Sequence, residues 1–110
     1  MNLYALPPSF GPEEELAVLW ERPGARVERI VSSGHSSPPG FWYDQEEDEW
    51  LAVLAGTGEV EFADGRKACL SAGDTLLIPA HARHRVSFTS TEPPCVWLCF
   101  FVRSDMRECR

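Results

Sequence analysis

The sequence predicts an antiparallel all-β domain, folded as a jelly roll or a small closed barrel, and three observations carry that expectation. Short runs of alternating or continuous apolar residues recur along the chain, turn signals rich in glycine, proline, aspartate and serine separate them, and helical periodicity is almost missing. Eight or nine strands at this spacing, without crossover helices, point away from parallel α/β folds. Two packed sheets or a closed barrel also hide the strand edges that such a chain would otherwise expose. With 110 residues, 44% of them hydrophobic, the chain is sized for one domain with its own core.

The elements follow in order. Residues 1–13, rich in proline, read as an N-terminal arm, and Leu16 to Trp20 as an apolar strand ended by the turn Glu21-Arg22-Pro23-Gly24. Ala25 to Val31 alternates, with Val27, Arg29 and Val31 on one face and Arg26, Glu28 and Ile30 on the other. Ser32 to Gly40 is a loop. Trp50 to Leu54 is an apolar strand that stops at Gly56-Thr57-Gly58, and Glu59 to Ala63 alternates again. Asp64-Gly65 predicts a hairpin with a two-residue type I′ turn, from which Arg66 to Leu70 returns. Ser71-Ala72-Gly73-Asp74 turns into the strand Thr75 to Ile78, and Arg85 to Thr89 and Cys95 to Val102 complete the set. Only the polar C-terminal stretch has the composition of a short helix.

Charge and cysteine content narrow the function. The formal charge is −7, from 17 acidic and 10 basic residues, and the densest run, Asp44 to Glu49, is acidic. Nucleic acid and anionic membrane are therefore poor partners, because phosphate contacts require a basic face. A cation or a neutral small molecule suits this chain better. No apolar run reaches the roughly 18–20 residues of a membrane helix, and no basic segment followed by an apolar one opens the chain, so the expected compartment is the cytoplasm. Cys69, Cys95, Cys99 and Cys109 form no Cys-x-x-Cys pair. Cys95 and Cys99 share a strand face, too far apart to bridge, and are expected as small buried hydrophobes. Cys109, in the polar tail, is expected to be exposed.

Two stretches are more specific. Glu49-Trp50-Leu51-Ala52-Val53-Leu54-Ala55-Gly56 sets a glutamate before an apolar strand and a glycine. Gly73-Asp74-Thr75-Leu76-Leu77-Ile78-Pro79-Ala80-His81-Ala82-Arg83-His84 sets a turn, an apolar strand, a proline corner and a histidine in succession. In order and separation they resemble the two motifs of the cupin superfamily, over residues 40–102 of a single domain spanning 1–110. Phe41 to Gln45, through Trp50, is similar to one subgroup of small single-domain cupins. The resemblance implies a cupin-type double-stranded β-helix, a jelly-roll barrel, with an inward-facing pocket at one mouth. In metal-binding members the first motif supplies two histidines and the glutamate, and the second supplies one histidine. By position Glu49 and His84 match, whereas the first-motif histidines fall on Tyr43 and Gln45. The implied metal set is therefore Gln45, Glu49 and His84, an incomplete one, for one divalent ion such as Fe, Mn, Ni or Zn. Tyr43, Leu51 and His81 are expected around the pocket, His81 standing where many cupins have a corner glycine.

Strand alternation can be set beside that resemblance. Gln45, Glu49, Leu51 and Val53 share the interior face if the strand runs through Gln45, and His84 is expected to face inward with Val86 and Phe88. A carboxylate, an imidazole and an amide oxygen are a weaker set than two histidines and a carboxylate. Glu49 and His84 can equally form a buried pair that joins two strands without metal, since an unpaired buried carboxylate is costly. Trp50 should face away from the pocket, and Trp50, Trp97 and the apolar C-terminal strand are the expected contact of a homodimer. The expected function is small-molecule binding. The alternatives are a non-enzymatic sensing, accessory or dimerisation domain, a metal-dependent dioxygenase, or a metal-free isomerase with His84 and Glu49 as acid and base. The sequence assigns no catalytic residue and no substrate.

Overall fold

The computed structural model describes residues 1–103. The polar C-terminal stretch read as a short helix, and Cys109 within it, lie outside the described residues. Every regular element among those residues is a strand: β1 (Glu15–Arg22), β2 (Ala25–Ser32), β3 (Glu47–Ala55), β4 (Thr57–Phe62), β5 (Lys67–Ser71), β6 (Thr75–Ile78), β7 (His84–Thr89) and β8 (Cys95–Arg103). They form a five-stranded sheet of order β1-β2-β8-β3-β6 and a three-stranded sheet of order β5-β4-β7, with every pairing antiparallel. This is the expected jelly roll. No helix among these residues is long and apolar enough to cross a membrane.

The core lies between the sheets and follows the period-two pattern of the strands. Leu51 and Val53 on β3, Val60 and Phe62 on β4, Leu70 on β5 and Ile78 on β6 pack against Cys95, Trp97, Cys99 and Phe101 on β8. Val53, Val60 and Ile78 are almost free of solvent, and burying a side chain of that kind stabilises by roughly 1.5–3 kcal/mol. Cys95 and Cys99 are buried as expected.

Three expectations need correction. The β4–β5 hairpin does not use a type I′ turn, because Gly65 alone of the Asp64-Gly65 pair is left-handed, at φ 98°. Gly65 N–H donates to the Phe62 carbonyl at 2.9 Å and Phe62 N–H to the Arg66 carbonyl at 2.8 Å, which makes a three-residue loop closed by the left-handed glycine. Trp97 is not on the exposed face: it is 4% exposed and stands between Cys95 and Cys99 on the inward side of β8. Its six-membered ring occupies the space above Gly58, where any Cβ would lie 2.4 Å from the ring. Phe88 does not face inward but is 51% exposed. The register of β4 against β7 slips between Glu59–Phe88 and Val60–Val86, so the bulge at Ser87 turns Phe88 outward and keeps Val86 inside.

Candidate functional site

The site grows from how β3 and β7 begin. Tyr43 and His84 form an isolated antiparallel bridge, Tyr43 N–H donating to the His84 carbonyl at 2.7 Å and His84 N–H to the Tyr43 carbonyl at 3.1 Å. Two residues on, His81 N–H donates to the Gln45 carbonyl at 2.8 Å. Residues 43–45 are thereby held beside the proline corner that delivers His84 to β7. Gln45 precedes β3 rather than lying in it, yet its amide nitrogen reaches Glu49 Oε1 at 3.2 Å. Glu49 sits within β3 between Ile78 of β6 and Phe101 of β8, pointing between the sheets.

These side chains open on a cavity of about 210 Å³. Its apolar walls come from Leu16, Ile30, Leu51, Val60, Ile78, Val86, Trp97 and Phe101, and its polar groups from Glu14, Arg26, Glu28, Tyr43, Gln45, Glu49, His84 and Cys99. Of the residues expected from sequence, Tyr43, Gln45, Glu49, Leu51 and His84 come together here. His81 does not line the cavity. It occupies the left-handed corner at φ 65°, is largely exposed, and turns its Nδ1 to Asp44 Oδ1 at 2.7 Å.

The electrostatics of the pair at the centre follow from burial. Glu49 is 7% exposed, and the loss of water pushes its carboxyl up to about 7 despite hydrogen bonds from Gln45 and the Cys99 thiol. His84 is 4% exposed, and burial holds its imidazole below its ordinary value, against a raising contribution from the Ala82 carbonyl. His84 Nδ1 donates to that carbonyl at 2.8 Å, which leaves Nε2 as the lone-pair nitrogen facing Glu49. Nε2 and Glu49 Oε1 are 3.8 Å apart, too far for a direct hydrogen bond. Desolvation thus favours a neutral imidazole and a readily protonated carboxyl facing one another across a gap. Tyr43 stacks on the His84 ring at 5.4 Å between centroids, its phenol raised by burial and by Glu14 and Glu49. Burial, with Glu49 beside it, also keeps the Cys99 thiol well above its ordinary value, so it is a neutral donor rather than a thiolate.

The wider lining is acidic. Glu28, 6% exposed, is bound by Arg26 Nε at 2.7 Å, and the same guanidinium pairs with Glu47 and lies 4.0 Å over the Phe101 ring. Glu14 accepts from the Ser32 hydroxyl at 2.8 Å, and that oxygen also receives the Trp97 indole N–H at 3.2 Å. Among the described residues Arg26 is the one cation in the lining, and two carboxylates already engage it.

A divalent ion fits this donor set poorly. Catalytic zinc uses three protein ligands and structural zinc four, from nitrogen, sulfur or carboxylate donors. Here Glu49 and His84 are the strong donors, and the third is a neutral amide whose nitrogen is turned to Glu49. Among the described residues no three His, Cys, Asp or Glu side chains are grouped to hold a metal. The chemistry below is therefore derived from the side chains alone.

Several cavity residues were not singled out from sequence. The signal for Arg26, Glu28 and Ile30 was present, because alternation along β2 sets them on one face. The shared face of Cys95 and Cys99 likewise carries Trp97 and Phe101 inward. Glu14 and Leu16 had no signal, since the course of the arm into β1 is a tertiary matter.

Comparison with known proteins places these observations. The family described as "Cupin domain" matches residues 28–101. A crystal structure from Ralstonia eutropha JMP134, of a protein provisionally described as a mannose-6-phosphate isomerase, is 43% identical, covers 94% of this chain and 97% of its own, and superposes with a TM-score of 0.88. A cupin superfamily protein from Desulfitobacterium hafniense DCB-2, 18% identical, covers 87% of this chain and 83% of its own at a TM-score of 0.74. KdgF from Halomonas sp., 24% identical, covers 90% and 89% at 0.67. The last two speak for the fold alone. No curated protein matches the chain.

Proposed function

This chain belongs to the cupin domain family, and we propose that its cavity binds a compact neutral or cationic small molecule, held between Glu49 and His84. The observation that carries the proposal is the 3.8 Å gap between Glu49 Oε1 and His84 Nε2 inside a walled cavity. A ligand hydroxyl or amine approaching from the cavity side, off the line between the two atoms, comes within hydrogen-bond reach of both, donating to the imidazole lone pair and pairing with the Glu49 carboxyl. Mostly apolar walls with a few converging polar groups are the usual make-up of a small-molecule site. At about 210 Å³ the cavity lies below the roughly 300–1,000 Å³ of drug-sized sites, which favours a compact ligand.

The same pair suits proton exchange. A carboxyl lifted to about 7 can both give and take a proton near neutrality, and the neutral imidazole is a base opposite it. Metal-free acid–base chemistry of the isomerase type is thus the catalytic form of this proposal. The description of the Ralstonia protein as an isomerase agrees with it, but its phosphorylated sugar does not. Among the described residues three carboxylates face this cavity, and the one guanidinium there is bound to Glu28 and Glu47, so these residues offer a phosphate dianion no unengaged cation.

Calorimetric titration of the full chain with compact polyols and amines, against mannose 6-phosphate, tests this. Saturable binding among the uncharged or cationic compounds, lost in His84→Ala, is the expected result. Tight binding of mannose 6-phosphate with no uncharged or cationic binder would overturn the assignment.

A further inference from the structure

Glu14 ends the N-terminal arm one residue before β1 and lines two hollows at once. One is the cavity of about 210 Å³ that holds Glu49 and His84. The other, of about 540 Å³, is walled by Pro12 of the arm and by His35 and Pro38 of the loop after β2. Glu14, Leu16, Tyr43 and Val86 belong to both, so the hollows adjoin at these four side chains. Of the four, Glu14 alone bears a carboxylate.

That carboxylate is held in place from below. Ser32, fully buried, accepts the Trp97 indole N–H at 3.2 Å and donates its own hydroxyl to Glu14 Oε2 at 2.8 Å. The single proton of a buried hydroxyl is thus spent on fixing Glu14. Its other oxygen, Oε1, has neither a hydrogen bond nor a cation among the described residues. The remaining carboxylates of the lining are answered: Glu28 by the Arg26 guanidinium at 2.7 Å, Glu49 by the Gln45 amide at 3.2 Å. The Glu14 charge also reaches across the site. After burial, it is the next cause that raises the Tyr43 phenol and the Cys95 thiol, since one negative charge disfavours another nearby.

The Glu49 and His84 end of the cavity has a different character. His84 is 4% exposed, its Nδ1 is committed to the Ala82 carbonyl, and its Nε2 has no partner within hydrogen-bond reach. With the Glu49 carboxyl pushed up to about 7, this end carries at most part of a charge near neutrality. A fixed carboxylate on one side and a near-neutral donor–acceptor pair on the other complement a molecule with a cation and a hydroxyl. An ammonium satisfies Oε1 by a charge-assisted hydrogen bond, and Tyr43 beside it offers an aromatic surface that favours cations. An anionic group would be repelled at the same point. Resting on the cavity assignment above, we infer that Glu14 determines specificity: its carboxylate pairs with the ammonium of a compact amino alcohol whose hydroxyl sits at Glu49 and His84.

Calorimetric titration of the full chain with amino alcohols of three to five carbons, each beside the diol of the same length, isolates the effect of the charge. The wild type is expected to bind the best amino alcohol about tenfold more tightly than its matched diol, a comparison that needs no variant to fold. Glu14→Gln, whose amide oxygen still accepts from Ser32, should lose that preference and keep its diol affinity within about twofold. Glu13→Gln removes a carboxylate that lines the second hollow only, and should keep the preference. Equal affinities in the wild type, a preference that survives Glu14→Gln, or an equal loss of both ligands in that variant would overturn the role of Glu14 and leave the cavity assignment standing. Failure of every amino alcohol and every diol to bind would overturn both.

Discussion

Replacing Glu49 by glutamine keeps the shape of the side chain and removes its ionisation, so the comparison isolates the cost of burying the charge. In the folded chain the Glu49 carboxyl is raised to about 7 from an ordinary 4.5, with burial as the largest cause. Between those values the folded chain holds a proton that the unfolded chain has lost. Stability therefore falls as pH rises across that window, and the loss is complete above about 7. At 1.36 kcal/mol per unit this amounts to about 3 kcal/mol at pH 8. His84 works in the opposite sense: its lowered value means stability is lost as pH falls below its unfolded value of 6.5. Both proteins carry His84, so its contribution largely cancels in the difference. Thermal unfolding followed by circular dichroism at pH 4.5 and pH 8 measures that difference. Glu49→Gln should match the wild type at pH 4.5 and exceed it at pH 8 by roughly 10–20 °C for a domain of this size. A difference that does not change with pH would refute the claim that burial raises the Glu49 carboxyl.

Other substitutions test the frame around the pair. Gly58→Ala places a methyl 2.4 Å from the Trp97 ring, and displacing that ring should cost about 1–3 kcal/mol and change the indole fluorescence. Equal stability and an unchanged spectrum would mean that Trp97 does not pack there. His81→Ala should leave ligand affinity within about twofold, because His81 faces Asp44 in solvent rather than the cavity. A tenfold loss in the same calorimetric titration would put His81 in the site after all.

The sequence made the architecture legible wherever one physical rule acted alone. Alternating or continuous apolar runs between turn signals marked all eight strands, and the glycine-aspartate and proline corners bounded β6. Where two local rules competed, the sequence was ambiguous. Ser87 looks like any strand residue, yet the bulge there reverses Phe88, a change visible only in the pairing with β4. Trp97 could have been placed from its even spacing between Cys95 and Cys99, and the expectation of an exposed aromatic overrode that signal. In the site, Glu49 and His84 were legible because motif spacing and alternation agree on them. Gln45 joins them from a loop, through a side-chain reach that alternation cannot supply. Arg26 and Glu28 share a β2 face that alternation already shows, whereas Glu14 completes the cavity through its contact with Ser32 of β2, a tertiary contact that no local pattern records.

Metal content bears most directly on the account of Glu49 and His84 as an acid–base pair that needs no resident ion. Elemental mass spectrometry on tag-free protein, wild type beside His84→Ala, should find well below one equivalent of iron, manganese, nickel or zinc in both, with ligand binding retained by the wild type in the presence of a chelator. About one equivalent per wild-type chain, absent from His84→Ala and with binding lost on chelation, would contradict the account and make Gln45, Glu49 and His84 a metal centre.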